Sequence, residues 1–291
     1  MRITNNMINR DVVDDVHRHL NDMAILRKEI STGKRVQSLS RDAVAATRSL
    51  AFASAQSTLE QYKVNTEESL AWMTATSAGL ARVRETMQDA KLQAQTGATD
   101  TVSEDTRKSI AINVHQLRNT LLEVGNSEWN GSRLFGGHKT STPVFTSDGT
   151  YQGDSGTLQR DIAANETAVI NVTGQRVFLE GTNLFQTLTD LETALNANDA
   201  PGVRSLLTQL DEGLNQVLTV EAEMGAEINR VENTQTRLDE LTVTLTERRS
   251  ANDDADVSKA AVELTNLDNL YQSALAATAQ LFNHSLLDFL K

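Results

Sequence analysis

The chain has no cysteine among its 291 residues. That excludes a disulfide framework, a thiol nucleophile and any thiolate metal site. Proline is nearly absent, with two residues, and the aromatics are few: two tryptophans, three tyrosines and seven phenylalanines. Shaped catalytic pockets lean on large rigid side chains, whereas this composition favours long uninterrupted helices. Positive charge is also scarce, with 27 Lys and Arg against 39 Asp and Glu, for a net charge of −12. A phosphate backbone calls for a basic surface or stripe, so nucleic acid is not an expected partner. No apolar segment follows Met1-Arg2-Ile3-Thr4-Asn5, and no run of about 18 apolar residues occurs, so neither a cleaved signal peptide nor a membrane span is expected.

The residues that carry chemistry elsewhere are scattered here. His17 and His19 stand two apart and do not share a helix face. Asp253, Asp254 and Asp256 lack the spaced ligands, central glycine and final glutamate of a calcium loop, and read as a helix breaker and N-cap. Gly136-Gly137 near Lys139 has no phosphate-loop frame around it. No nucleophile, base and orienting group can be assembled, so the expectation is a non-enzyme with no cofactor and no metal.

What the chain has in quantity is helical periodicity. Val13, Val16, Leu20, Met23 and Ile30 recur every three or four residues, with Arg27 interrupting. Gly33, in Ser31-Thr32-Gly33-Lys34-Arg35, is placed to end that helix in the left-handed conformation. The pattern resumes near Ala43 and runs through Leu59, Tyr62, Met73, Leu80, Val83 and Met87, with Thr66, Ser69 and Thr76 on the same stripe. This helix stops near Gly97 after about 50 residues, or about 75 Å. Thr101 and Glu104 suggest a capping box for a third helix reaching about Glu128. Further on, Asp199 is a candidate N-cap before Pro201. Val220, Met224, Val231, Leu238, Leu241 and Leu245 then alternate spacings of three and four, as in a coiled coil. Asn252 to Asp256 break the stripe. A last helix carries Leu264, Leu267, Tyr271, Leu275, Leu281 and Leu287.

Between 131 and 181 the composition changes. Eight of the 15 glycines fall there. Thr167–Thr173 and Arg176–Leu179 read as strands, and Asp148-Gly149 as a hairpin turn. The expected fold is therefore mainly α: a long antiparallel helical bundle or coiled coil formed by both chain ends, with a small inserted β-rich domain. The expected division is 1–43 and 250–291 as paired terminal helices forming an assembly domain, 44–135 and 183–249 as a helical bundle, and 136–182 as the β-rich insert, expected to be dispensable for the fold. Residues 1–50 carry nine basic and six acidic side chains, and 250–291 carry two and six, so the two arms have opposite net charge. Arms of opposite sign that each own an apolar stripe are suited to pairing.

Several blocks together resemble a known family. They are Met1-Arg2-Ile3-Thr4 with Ile30 to Val36; the Gln61–Leu80 run holding Asn65 and Trp72-Met73; Asn130 to Thr140; Tyr151-Gln152-Gly153-Asp154; and Asp254-Ala255-Asp256 with Leu270 to Leu275 and Leu286 to Leu290. The chain resembles the hook-associated protein 3 family, the hook–filament junction members of the flagellin superfamily. The Phe135-Gly136-Gly137-x-Lys139-Thr140 and Tyr151-x-Gly153-Asp154 blocks favour this family over filament flagellin or a minor flagellin. One departure is that the Ser38–Asp42 loop lacks the prolines often seen there. The resemblance implies a structural subunit joining the hook, through hook-associated protein 1, to the flagellin filament. It implies self-association in a ring of subunits. It also implies export without a cleaved signal to an extracellular position on the flagellum, with a flagellar export chaperone holding the C-terminal helix beforehand. On these readings Val13, Val16, Leu20, Met23, Ile30, Leu264, Leu267, Tyr271, Leu275 and Leu281 are the expected assembly interface, and Leu264, Leu267 and Leu275 the expected chaperone contacts.

Overall fold

The computed structural model describes residues 5–36 and 42–289, and for 5, 6, 8, 9 and 280–289 it describes the helical backbone alone. The Met1–Thr4 block, the loop from Ser38 to Arg41 and the side chains of Leu281 and Leu287 therefore lie outside the described residues. Among the described residues six α-helices run in order: α1 (Asn5–Thr32), α2 (Ala43–Gly97), α3 (Glu104–Gly125), α4 (Leu184–Asn196), α5 (Ala200–Asp253) and α6 (Val257–Phe289). Between α3 and α4 lie β1 (Glu128–Trp129), β2 (Ser132–Arg133), β3 (Gln159–Ala163) and β4 (Glu166–Val169), then a single π-helical turn at Gln175–Leu179. β1 pairs with β2 and β3 with β4, both antiparallel. The fold is thus mainly α with a small β content, as the periodicity predicts. The chain forms two compact units, one of residues 1–57 with 242–291 and one of residues 58–241.

The larger unit, 58–241, is organised by a seam of regular spacing. On α2, Thr66, Ser69, Met73, Thr76, Leu80, Val83, Met87, Ala90 and Ala94 are all buried, at alternating spacings of three and four. On α5 the matching row includes Val203, Leu206, Leu210, Val217, Val220, Met224, Val231, Thr234 and Leu238. Ion pairs Lys91–Asp211, Arg84–Glu221 and Lys63–Asp239 show the two helices antiparallel, because the partner number rises as the α2 number falls. The buried hydroxyls on the seam do not go unpaired. Thr66 donates to the Tyr62 carbonyl at 2.7 Å, Ser69 to Asn65 at 2.5 Å and Thr76 to Trp72 at 3.0 Å. Each bonds back to the residue four before it, so a polar side chain enters the core without an orphaned donor.

Four local readings change. Helix α3 is capped by Ser103, whose side chain accepts from the Thr106 amide, and not by Thr101. Glu104 and Asp105 then occupy the first turn, where negative charge suits the helix dipole. The same helix ends at Gly125, because Glu128–Trp129 pairs with Ser132–Arg133 around Asn130-Gly131, both at positive φ. Arg176–Leu179 is a helical turn and not a strand. A strand would send Val177 and Phe178 to opposite faces, yet both are fully buried. Leu241 is 47% exposed, so the α5 stripe leaves the seam after Leu238. Other readings hold. Asp199 caps α5, accepting from the Gly202 amide at 3.0 Å. Phe145 and Tyr151 form a bridge across Asp148-Gly149, with Gly149 at φ 89°.

The glycine-rich stretch shares its core with the helices. Phe135, Val144, Phe145, Ile162, Ile170, Val177 and Phe178 belong to one buried cluster with Leu80, Met87, Leu121, Leu188 and Leu210. Phe178 stacks on Phe185 of α4 at 5.4 Å and meets Phe145 edge-on at 5.1 Å. Gly125 makes room for this cluster: a Cβ there would lie 2.8 Å from the Phe145 ring. Asn126 then ties the loop down, its side-chain oxygen accepting from the amides of Val144 and Phe145 at 2.7 and 2.9 Å. The β3–β4 hairpin is fastened to α5 through Glu166, which pairs with Arg230 and Arg237. The stretch is therefore a lid on the bundle, and the expectation that it is dispensable for the fold is withdrawn.

Two outcomes follow. Replacing 140–180 by a Gly/Ser linker removes Phe145 and Phe178 from the core, and equilibrium denaturation should show the cooperative transition of the larger unit lost or shifted by several kcal/mol, since each large buried aromatic is worth about 3–5 kcal/mol. Leu238→Asp should cost about 3–5 kcal/mol by the same measurement, whereas Leu241→Asp, three residues on, should stay within about 0.5 kcal/mol.

Candidate assembly site

In the smaller unit α1 packs along α6. The inward row on α1 is Val12, Val16, His19, Met23, Leu26 and Ile30, and on α6 Ala260, Leu264, Leu267, Tyr271, Ala274 and Thr278. Both rows alternate spacings of four and three. Six of the predicted interface residues sit on them: Val16, Met23, Ile30, Leu264, Leu267 and Tyr271. Val13, Leu20 and Leu275 do not, and are 44%, 42% and 43% exposed. The reason lies in the sequence itself. On α1 two stripes share Val16, Met23 and Ile30 and differ by one residue elsewhere, so that Val13, Leu20 and Arg27 compete with Val12, His19 and Leu26. The structure turns Leu26 inward and leaves the Arg27 charge in solvent. His19 lies half-buried on the row, while His17 is exposed.

This pairing has almost no core of its own. Among the described residues the buried apolar side chains of this unit are Met23, Ala45, Ala46 and Ala260. Met7, Val13, Leu20, Val44, Leu50, Val243, Val257, Val262, Leu270 and Leu275 are exposed. At about 25 cal/mol per Å² of apolar area, three alanines and a methionine stabilise little against the ordering of two long helices. Charge divides just as unevenly. Residues 58–241 hold 14 of the 27 Lys and Arg and 26 of the 39 Asp and Glu, which is the whole net −12, and the paired ends are formally neutral.

What the unit does have is a polar clasp where its two chain breaks meet. Gly33, at φ 68°, ends α1 as its backbone predicts. Lys34 and Asp254 form an antiparallel bridge, flanked by Arg35 N–H donating to the Asp253 carbonyl at 2.7 Å and Ala255 N–H donating to Gly33 at 2.9 Å. The Lys34 ammonium pairs with Asp254, and Arg35 donates to the Asn252 carbonyl at 2.9 Å. Asp253 is only 4% exposed. Its carboxylate accepts from Ser49 at 2.8 Å, Asn252 at 2.9 Å and Arg249 at 3.3 Å. Arg249 also donates to Gln56 at 2.7 Å, and Asn252 to the Ala45 carbonyl at 3.0 Å. Asp256 caps α6 through the Lys259 amide at 3.0 Å. The acidic run is thus a breaker and cap, as read, and also half of an interlocked joint. No group of three or more metal-ligating side chains occurs among the described residues.

Burial pushes the Asp253 carboxyl up, but the hydrogen bonds from Asn252, Ser49 and Arg249 more than offset it, and its pKa lies below the usual range. Asp254 is lowered too, chiefly by the Lys34 and Ser250 hydrogen bonds. Carboxylates depressed in the folded state add stability above their unfolded pKa of about 4, and that stability is lost as pH falls through the folded value. Lys34, Arg35, Asp42 and Arg249 are the other charged groups around them. Acidification from pH 6 toward pH 3 should therefore loosen the clasp, and NMR should show the amides of Arg35 and Ala255 losing their hydrogen-bonded shifts below about pH 4.

This arrangement, long helices from both chain ends bracketing a central insert, has a close match among known proteins. Residues 3–140 match the bacterial flagellin N-terminal helical region, and residues 207–290 match the bacterial flagellin C-terminal helical region. The chain is 30% identical to flagellar hook-associated protein 3 of Escherichia coli over 71% of its own length and 73% of that protein's. The chain belongs to the flagellin family. Hook-associated protein 3 of Salmonella typhimurium is 27% identical, over 79% of this chain and 81% of that one. A putative flagellar hook-associated protein from Vibrio parahaemolyticus shares the fold, with a TM-score of 0.69 at 20% identity over 74% of this chain and all of that one. The two flagellin regions take in α1, α2, α3 and the β1–β2 hairpin on one side and most of α5 with α6 on the other, so the family signature includes the helices that pair. No helix among the described residues is long and apolar enough to cross a membrane.

Proposed function

We propose that this flagellin-family chain is a structural subunit of the bacterial flagellum that joins the hook to the filament. The family relationship to hook-associated protein 3 supports the place; one structural observation supports the means. The unit of residues 1–57 and 242–291 carries no net charge and, among its described residues, exposes a row of large apolar side chains and buries little of its own, whereas the 58–241 body is well packed and carries all the net negative charge. A neutral apolar surface can pack against copies of itself without repulsion, and a strongly acidic one is kept apart and in solvent. The ends, residues 1–43 and 250–291, are then the assembly domain, and neighbouring subunits in a ring supply the missing apolar contacts. Val13, Leu20 and Leu275 face the neighbours, and Val16, Met23, Ile30, Leu264, Leu267 and Tyr271 hold the arm together.

Hook-associated protein 1 is the partner on the hook side and flagellin on the filament side. The subunit reaches this extracellular position by flagellar export. An export chaperone that contacts Leu264, Leu267 and Leu275 has to bind before α6 pairs with α1, because the first two of these point into that pairing. A cell whose subunit lacks residues 262–291 should make the 58–241 body folded, by limited proteolysis, yet release flagellin into the medium as monomers. Filaments still attached to hooks in that strain would overturn the role given to the ends.

A further inference from the structure

We propose that Asn130 is a self-modification site: its side-chain amide condenses with the backbone nitrogen of Gly131, loses ammonia and, after hydrolysis, leaves an aspartyl or isoaspartyl residue that loosens the β1–β2 hairpin. This chemistry is the chain's own and does not depend on its place in the flagellum.

Amide chemistry sets three conditions for such a step: an asparagine side chain not held by hydrogen bonds, a following backbone nitrogen that no side chain shields, and access for water. Asn130-Gly131 is the one Asn-Gly pair in the chain. Both residues are exposed, at φ 49° and 75°, and they form the two-residue turn between β1 and β2. Glycine puts no Cβ beside its own amide, and a Cβ at Gly131 would meet nothing within 4 Å. Among the described residues neither the Asn130 side chain nor the Gly131 amide has a hydrogen-bond partner.

The step balances with water and a solvent base. The base takes the Gly131 amide proton, and the nitrogen attacks Cγ of Asn130. The Cγ–Nδ2 bond breaks as ammonia takes up a proton and leaves a five-membered imide. Water then opens the ring at Cγ, which gives aspartyl, or at the backbone carbonyl, which gives isoaspartyl with the chain rerouted through the side chain. One water enters and one ammonia leaves.

The comparable positions are closed. Asn165 and Asn198 also have positive φ, but Glu166 and Asp199 follow them, and Asn198 accepts from Arg107. Asn126 and Asn171 are each bound through both side-chain atoms. At Asp148-Gly149 the glycine is buried and its amide donates to the Thr146 carbonyl at 2.9 Å. The Asp148 carboxyl is held ionised, well below its usual range, by the Thr146 and Thr150 hydroxyls, and a carboxylate is a poor electrophile.

The β1–β2 hairpin is where the change is felt. Its turn sets Trp129 opposite Ser132 and holds Trp129 edge-on to Trp72, with ring centres 5.9 Å apart. An aspartyl residue keeps this turn, since Asp tolerates positive φ. An isoaspartyl residue adds a methylene to the backbone of a two-residue loop, which has no slack to keep the register. Trp72 is 7% exposed and its indole N–H has no partner, so displacement of Trp129 lets water reach it. These are the two tryptophans of the chain, and their emission therefore reads this contact.

Ageing the purified full-length protein in mildly alkaline buffer tests this, with peptide mass spectrometry and tryptophan emission followed together. Position 130 should convert about tenfold or more faster than Asn165, Asn198 or Asp148, because no Cβ flanks the attacking nitrogen. Conversion should quicken as pH rises and should give two products of equal mass that separate by chromatography. Emission should move to the red in step with the isoaspartyl product. Asn130→Gly keeps a Gly-Gly hairpin turn and removes the electrophile, so its emission should hold steady over the same period. The proposal is overturned if position 130 converts no faster than Asn165, if isoaspartyl accumulates without a red shift, or if Asn130→Gly shifts as the parent does.

Discussion

Everything distinctive about this chain follows from a shortage of apolar surface where its two ends meet. A helix pair needs a continuous apolar seam to be stable alone, and α1 and α6 place small, polar or half-buried side chains on theirs. Within 58–241 the same alternation of three and four is filled by Met73, Leu80, Val83, Met87, Val217, Val231 and Leu238, and there it holds a closed core. The contrast is one of occupants and not of pattern. Two lengths of similar helical sequence therefore have different fates: one is a finished body, the other an arm that is completed by something outside it. The unpaired apolar face of the arm and the absence of net charge on the unit of residues 1–57 and 242–291 are two independent signs of the same incompleteness.

Polar groups take over the work that burial cannot do. In the body, seam threonines and serines bond back to their own helix, which costs little and leaves the seam narrow. At the far end of α2, Arg107 is buried and donates to the Gly97 and Thr99 carbonyls at 2.9 and 2.7 Å, closing the α2–α3 turn. At the other break Asp253 has the corresponding place, with the sign reversed: a buried carboxylate gathers donors from α2 and from the end of α5. Both devices fix geometry at a helix end, where backbone groups would otherwise be left unpaired. Only the second joins segments from opposite ends of the chain.

Much of this was legible in the sequence. The helices, the break at Gly33, the cap at Asp199 and the Asp148-Gly149 turn follow from local chemistry that tertiary contacts do not override. Asn130-Gly131 is equally legible as a two-residue hairpin turn, but the strands on either side are only two residues long and carry no alternating pattern of their own. Arg176–Leu179 misled because Val-Phe-Leu suits a strand as well as a buried helical turn, and only the packing of Phe178 between Phe145 and Phe185 decides it. The apolar spacing on α1 points one residue off, to Val13 and Leu20, although the Arg27 charge on that stripe favours the observed rotation. The clasp could not be read directly, since its halves lie some two hundred residues apart. It did leave a trace: both helical breaks are charged, with Lys34-Arg35 in one and Asp253-Asp254 in the other.

The central claim is that the outward apolar face of the chain ends is covered by neighbouring subunits in the assembled flagellum. Because the chain has no cysteine, one engineered thiol reports on one position. Leu20→Cys and Leu275→Cys subunits can be reacted with a maleimide, first as purified free protein and then in isolated flagella. The account predicts fast labelling of both in the free subunit and labelling slowed by about a hundredfold or more once assembled, as for a site taken out of solvent. Equal labelling in the two states would mean that the face remains open in the flagellum, and the chain ends would then not be the surface through which the subunit is built in.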